Sequence, residues 1–191
     1  MGNSMAVYLV RHGESVANKD LILSGAFDHP LTDTGRAQAR QAGDRLRGIH
    51  FAGVFTSVLA RAVETAALIL EECGGHGGQW VRDARLNERD FGIYENVAQG
   101  WIADNHGHDA LQRIHTDVGF RVDRGESIRD VFDRTSRYFD ETVRPAAVEG
   151  NILVVSHGNV TKCLIAHCIG WPVEIVPEMP MWNGLVTRLN P

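Results

Sequence analysis

Two stretches of the sequence put a histidine where a strand should end: Leu9-Val10-Arg11-His12-Gly13 and Val154-Val155-Ser156-His157-Gly158. In each, a strand-forming apolar run leads straight into His-Gly. A third stretch, Thr56-Ser57-Val58-Leu59-Ala60-Arg61, follows another apolar run and puts an arginine in the first turn of an expected helix, where free N–H groups already favour anions. One histidine at a strand end is an ordinary polar residue. Two at matched places, with Arg11 and Arg61, form a group suited to phosphate, which carries about −1.5 to −2 charge at pH 7 and takes bidentate arginine contacts. The glycine after each histidine lets backbone come close to a ligand.

The elements that must position these residues follow from periodicity. Met5 to Val10, Phe51 to Thr56 and Asn151 to Ser156 read as short strands covered on both faces. Residues 33 to 47 read as a helix capped by Thr32, with Ala39, Ala42 and Leu46 on one face. Leu59, Ala62, Val63, Ala66, Ala67 and Leu70 trace a second helix. The run Cys73-Gly74-Gly75-His76-Gly77-Gly78-Gln79 reads as a flexible surface loop after it, without the spacing of a P-loop. Residues 95 to 124 are the least regular part and are expected to form an excursion from the core. Ser127-Ile128-Arg129-Asp130 matches a capping box that opens a long amphipathic helix ending near Pro145. A helix from about Val160 to Ile169 and a last strand from Gly184 to Leu189 close the chain. Strands alternating with helices predict a single α/β domain over residues 1–191, with a mostly parallel sheet and helices on both faces. In such sheets ligands bind beyond the carboxyl ends of the strands, where both His-Gly pairs would stand.

Composition limits the function classes. The chain has 191 residues, 43% hydrophobic and 23% charged, with a formal net charge of −5. That is the balance of a soluble globular protein and argues against nucleic-acid or anionic-membrane partners, which need a basic face. Cys73, Cys163 and Cys168 form neither a zinc pattern nor an even disulfide framework, so reduced thiols and a cytoplasmic location are expected. No signal-peptide layout, myristoylation motif or membrane-length apolar run is visible.

Motifs in order along nearly the whole chain carry a resemblance. They are Leu9-Val10-Arg11-His12-Gly13-Glu14-Ser15 with Asn18, Leu31-Thr32 with Gly35, and Thr56-Ser57 through Arg61 to Glu64-Thr65. Leu86-Asn87-Glu88-Arg89 with Gly92, Gly125-Glu126-Ser127 and Ser156-His157-Gly158-Asn159 complete the set. The sequence resembles the phosphoglycerate mutase-like branch of the histidine phosphatase superfamily. The resemblance implies that His12 is a nucleophile forming a phosphohistidine, that Arg11, Arg61 and His157 hold the transferred phosphoryl group, and that Glu88 is the acid and base. Such chemistry needs a neutral His12 ring with one nitrogen free and the other held as N–H by a fixed acceptor, a backbone carbonyl being one candidate. Asn18, Ser24, Gly25 and Asn159 map onto ligand-binding positions, and Ser57 either orients His12 or caps a helix. No metal and no cofactor are expected, and the partner is a small phosphorylated substrate.

The family holds phosphatases and cofactor-dependent phosphoglycerate mutases. Asn159 and the Leu86-Asn87-Glu88-Arg89 run look mutase-like. Mutases, however, follow their glutamate with a tyrosine three residues on and a lysine eleven on, where this chain has Phe91 and Gln99. They also carry an adjacent arginine pair, against the separated Arg113, Arg121 and Arg124 here. Fewer anchors and a slighter cover favour hydrolysis over transfer, so a phosphatase is expected and a mutase is the alternative. Residues 95–124 are expected to serve as a lid that sets specificity. A metal site built from His106, His108 and His115 with Asp104 and Asp109 is a rival without recognised ligand spacing. An edge strand or the Trp171-Pro172 region would be the place for a homodimer contact.

Overall fold

Alternation along β1 (Val7–Arg11) sends Val7 and Leu9 to one face of a sheet and Tyr8 and Val10 to the other, and all four are buried. A strand covered on both faces must be flanked by helices on both sides. The computed structural model, which describes residues 5–190, has that arrangement. Residues 1–4, part of the stretch read for a leader, and Pro191 lie outside the described residues.

After β1 come a short helix α1 (Val16–Lys19), β2 (Ile22–Leu23) and α2 (Asp33–Arg45), the last capped by Thr32, whose side chain accepts from Gly35 N. β3 (Phe51–Thr56), α3 (Ala60–Cys73) and β4 (His76–Arg82) follow. Next are β5 (Val97–Ala98), α4 (Gln99–His106), α5 (His108–Thr116) and α6 (Ile128–Tyr138). A π-helical turn over Phe139–Val143 leads into α7 (Arg144–Ala146), and β6 (Asn151–Ser156), α8 (Gly158–Cys168) and β7 (Val186–Leu189) end the chain. The main sheet runs β4-β3-β6-β1-β7, parallel except for β7, which is antiparallel to β1. Residues of α2 and α3 cover the face holding Tyr8, Val10, Val54 and Val155. Residues of α6 and α8 cover the face holding Leu9, Phe55, Ile152 and Val154.

Three expectations are corrected. The glycine-rich run after Cys73 is in part strand β4, because β3 presents an open edge and pairs with it in parallel. A side chain at Gly78 would overlap the carbonyl of Ala52, so glycine is what allows that pairing. Residues 95–124 are not irregular: they hold β5, α4 and α5, and Ile102, Ile114 and Val122 pack on Leu23 and Phe91 as a small second core. Each of those helices buries only one or two residues, too few to show a period. The helix after Ser127 changes to the wider π spacing at Phe139, although its capping box is present as expected.

Candidate active site

Parallel register brings the three motif strands to one rim. Arg11 pairs with Ser156 and Thr56 with Val155, so His12, Ser57 and His157 leave the sheet side by side. His12 N donates to Ser156 O at 2.9 Å, which ties the first histidine to the strand that carries the second. The two imidazole centroids are 5.0 Å apart, and the residues are 3% and 0% exposed.

His12 Nδ1 lies 2.6 Å from Gly13 O. A carbonyl only accepts, so Nδ1 carries the proton and Nε2 has its lone pair free. Burial, then the charges of Arg61 and Arg11, hold the pKa of His12 well below the usual histidine value, and the ring is neutral. His157 is lowered in the same way, first by burial and then by Arg61. Arg61 Nε donates to His157 Nδ1 at 3.3 Å, so His157 Nε2 is the protonated nitrogen, and it donates to Ser57 Oγ at 2.7 Å. Neither expectation for Ser57 holds as stated: its hydroxyl accepts from Leu59 N in the turn before α3 without capping a helix N–H, and the histidine it holds is His157 and not His12.

Arg61, 1% exposed, spends its other donors on a loop. Its Nη2 donates to the carbonyls of Ser24 and Gly25 at 3.2 and 2.9 Å, and its Nη1 to Phe27 O and Asp28 Oδ1 at 2.9 and 3.2 Å. Asp28 also accepts from Ala60 N, the first residue of α3. The expectation that Arg61 grips phosphate directly therefore meets a guanidinium already engaged in shaping the rim. Arg11 differs: its Nη1 donates to Met181 O at 2.6 Å, but its buried Nε has no partner. A Cβ added at Gly158 would stand 3.6 Å from that Nε and 3.5 Å from Glu88 Oε2. Gly158 thus leaves space between the arginine and the carboxylate.

Glu88 sits in a segment fixed from behind. Its Oε1 accepts from Arg89 N at 2.8 Å and its Oε2 from Asn159 N at 3.2 Å. Arg134 of α6 donates to the carbonyls of Arg85, Asn87 and Glu88 while pairing with Glu126 at 2.7 Å. A cavity of about 220 Å³ opens here, and its walls include Arg11, Asn18, Ser24, Glu88, Asn159 and Lys162. Gly25 is not in the wall, since it faces Arg89 O and Glu95. His106 packs against Tyr94 and Trp101 while His115 meets Gln99, and no group of three potential metal ligands exists among the described residues.

Residues 7–191 match the family model of the histidine phosphatase superfamily, branch 1. The chain belongs to that superfamily. Over 187 residues it is 37% identical to a 2,3-bisphosphoglycerate-dependent phosphoglycerate mutase of Methylobacterium sp. (strain 4-46), covering 95% of this chain and 90% of the relative. Bacillus stearothermophilus YhfR superposes with a TM-score of 0.84 at 31% identity, covering 96% and 89% of the two chains. The alpha-ribazole phosphatase of Shigella flexneri gives 0.81 at 29% identity, with the same coverage.

Several residues that build this histidine phosphatase site had no local signal. Asn183 donates to His12 O and to Asn18 Oδ1, both at 3.0 Å, from 165 or more residues away. Asp28, Arg134 and Lys162 are charged residues in segments that read as turn or helix surface. Thr65 was legible: it lies one helical turn after Arg61, its hydroxyl donates to Arg61 O at 2.7 Å, and it accepts from Gly13 N at 3.1 Å.

Proposed function

We propose that this chain hydrolyses small phosphomonoesters through a phosphohistidine on His12. The observation that carries this reading is the His12 ring, neutral, buried and held by Gly13 O with Nε2 free. In the first step Nε2 bonds to phosphorus and the ester P–O bond breaks, with Glu88 giving its proton to the leaving alkoxide. In the second, water attacks the phosphorus, Glu88 takes its proton, and the P–N bond breaks to release inorganic phosphate and restore Nε2. Arg11, with an unpaired Nε beside Glu88, stabilises charge on the phosphoryl oxygens. Burial first and the charge of Arg61 next keep His12 and His157 neutral, and Arg61 also holds the 24–28 loop. Asn18, Ser24 and Asn159 bound the space for the alcohol portion, and residues 95–124 act as its cover.

Hydrolysis is favoured over phosphoryl transfer by what surrounds the cavity. Phe91, at the tyrosine position of mutases, is buried in the small second core, and Gln99, at their lysine position, is paired with His115. Arg113 and Arg121 pair with Asp117 and Asp130. One observation favours the second reading, a mutase: Lys162 of α8 lines the cavity and brings an ammonium to it, one of whose protons is donated to Pro177 O at 3.4 Å. The test is a phosphorus NMR time course with 3-phosphoglycerate and a trace of 2,3-bisphosphoglycerate, with p-nitrophenyl phosphate in a second tube. Inorganic phosphate is expected in at least one tube and none in either with His12→Ala. Accumulation of 2-phosphoglycerate without inorganic phosphate would establish the mutase reading, and turnover by His12→Ala would end the phosphohistidine mechanism.

A further inference from the structure

The loop over residues 24–28 is gripped along both edges of its backbone. Its carbonyl edge faces Arg61, which takes Ser24 O, Gly25 O and Phe27 O. Its N–H edge faces a carboxylate. Gly25 N donates to both oxygens of Glu95 at 3.0 and 3.1 Å, Ala26 N donates to Oε1 at 3.2 Å, and Phe27 N to Oε2 at 3.1 Å. Successive amides converging in this way form an anion-binding nest, and here the anion belongs to the protein itself. Glu95 Oε1 also accepts from Phe91 N at 2.7 Å.

That last bond joins two parts of the site. Phe91 lies three residues after Glu88, and Gly25 packs so closely on Arg89 that a Cβ would overlap its carbonyl. Glu95 therefore touches the loop that engages Arg61 and the segment that carries Glu88. Hydrogen bonds to an ionised acceptor are about twice as strong as neutral ones, and here one side chain takes them from both segments.

We propose that Glu95 is a positioning residue for the phosphotransfer proposed above, on which this inference rests: as the resident anion of the 25–27 amide nest, it sets the placement of Arg61 relative to Glu88. Glu95 touches neither His12 nor the phosphoryl group. Gly25, expected from the resemblance to bind ligand, has its N–H committed to this carboxylate, and removing the carboxylate opens an anion site.

The test uses Glu95→Ala and Glu95→Gln with p-nitrophenyl phosphate, alongside calorimetric binding of orthovanadate and circular dichroism of each variant. Small displacements of a reacting group cost up to about 100-fold, and a kcat loss of that order with a smaller change in KM is expected for Glu95→Ala. Formate, but not chloride at equal ionic strength, is expected to restore about tenfold of it by occupying the vacated nest, and to leave the wild type unaffected. Glu95→Gln, whose amide fills the nest with a neutral group, is expected to lose about tenfold in kcat without rescue. Wild-type kcat in Glu95→Ala, or a folded Glu95→Ala whose loss formate leaves unchanged, overturns the proposal. Should Glu95→Ala not fold, Glu95→Gln decides, and an unchanged kcat there overturns it equally. A wild type that turns over no phosphomonoester would count against hydrolysis instead, and orthovanadate affinity that falls in Glu95→Ala and recovers with formate would still support the role of Glu95. Unchanged orthovanadate affinity in that case would remove it.

Discussion

His157 meets Ser57 Oγ at 2.7 Å through Nε2 and Arg61 Nε at 3.3 Å through Nδ1. Arg61 Nε can only donate, so the longer bond fixes the tautomer, and the two bonds together fix the ring plane, so His157 has a single orientation at no exposure to water. Ser57→Ala would leave a buried N–H without an acceptor, and such a group costs about 1–3 kcal/mol. A loss of stability of that size is expected by urea denaturation. The freed ring would no longer present one orientation to Arg61, so a fall of about tenfold in kcat/KM is expected in the same variant. Unchanged kcat/KM with lowered stability would show that Ser57 serves only to hold the turn before α3. The same scale shows what sequence hides. Glu88-Arg89 reads as an exposed ion pair, yet Arg89 is 1% exposed and donates to the carbonyls of Ile114, Phe120 and Glu126. Its partners are backbone atoms of α5 and of the segment between α5 and α6, whose position only the fold determines.

At the scale of elements, the His12 loop is held by direct backbone contact with the start of α2. A Cβ on Gly13 would overlap Gly35 O, and one on Gly35 would overlap Glu14 O. Neither residue has positive φ among the described glycines, so the requirement is space and not backbone conformation. Gly35→Ala must push α2 away from residues 13–14, at a cost of about 1–3 kcal/mol for an overpacked site. Because Gly13 O is the acceptor that holds His12, turnover of p-nitrophenyl phosphate is expected to fall about tenfold or more. Retained activity would show that the loop is set by Thr65 and Ser156 without α2. β1, β3 and β6 stood out because each is an apolar run that ends in polar residues, and the rim followed from their parallel order. β4 did not, since its glycines read as a loop and only the open edge of β3 recruits them. The π turn after α6 was invisible because one added residue shifts the apolar face without breaking its pattern.

For the molecule as a whole, the buried histidines link stability to pH. His12 and His157 lie at the ends of adjacent central strands, β1 and β6, and both are almost wholly buried there. Both have pKa values held well below the usual 6.5, by burial first and by Arg61 next. Below pH 6.5 the unfolded chain takes up protons that the folded chain refuses, so stability rises with pH in the window beneath 6.5 and is fully present above it. Each such histidine contributes a slope of up to about 1.4 kcal/mol per pH unit. Asp83 and Asp130, whose pKa values are lowered, add their own loss only below the carboxylate range. Urea midpoints measured from about pH 7.5 down to about pH 5 should therefore fall steadily below 6.5. The double variant His12→Gln and His157→Gln, which keeps polar side chains but cannot titrate, should flatten most of that slope while lowering stability at neutral pH. An equal slope in the variant would mean that the two rings take up protons in the folded state, and the neutral nucleophile would lose its physical basis.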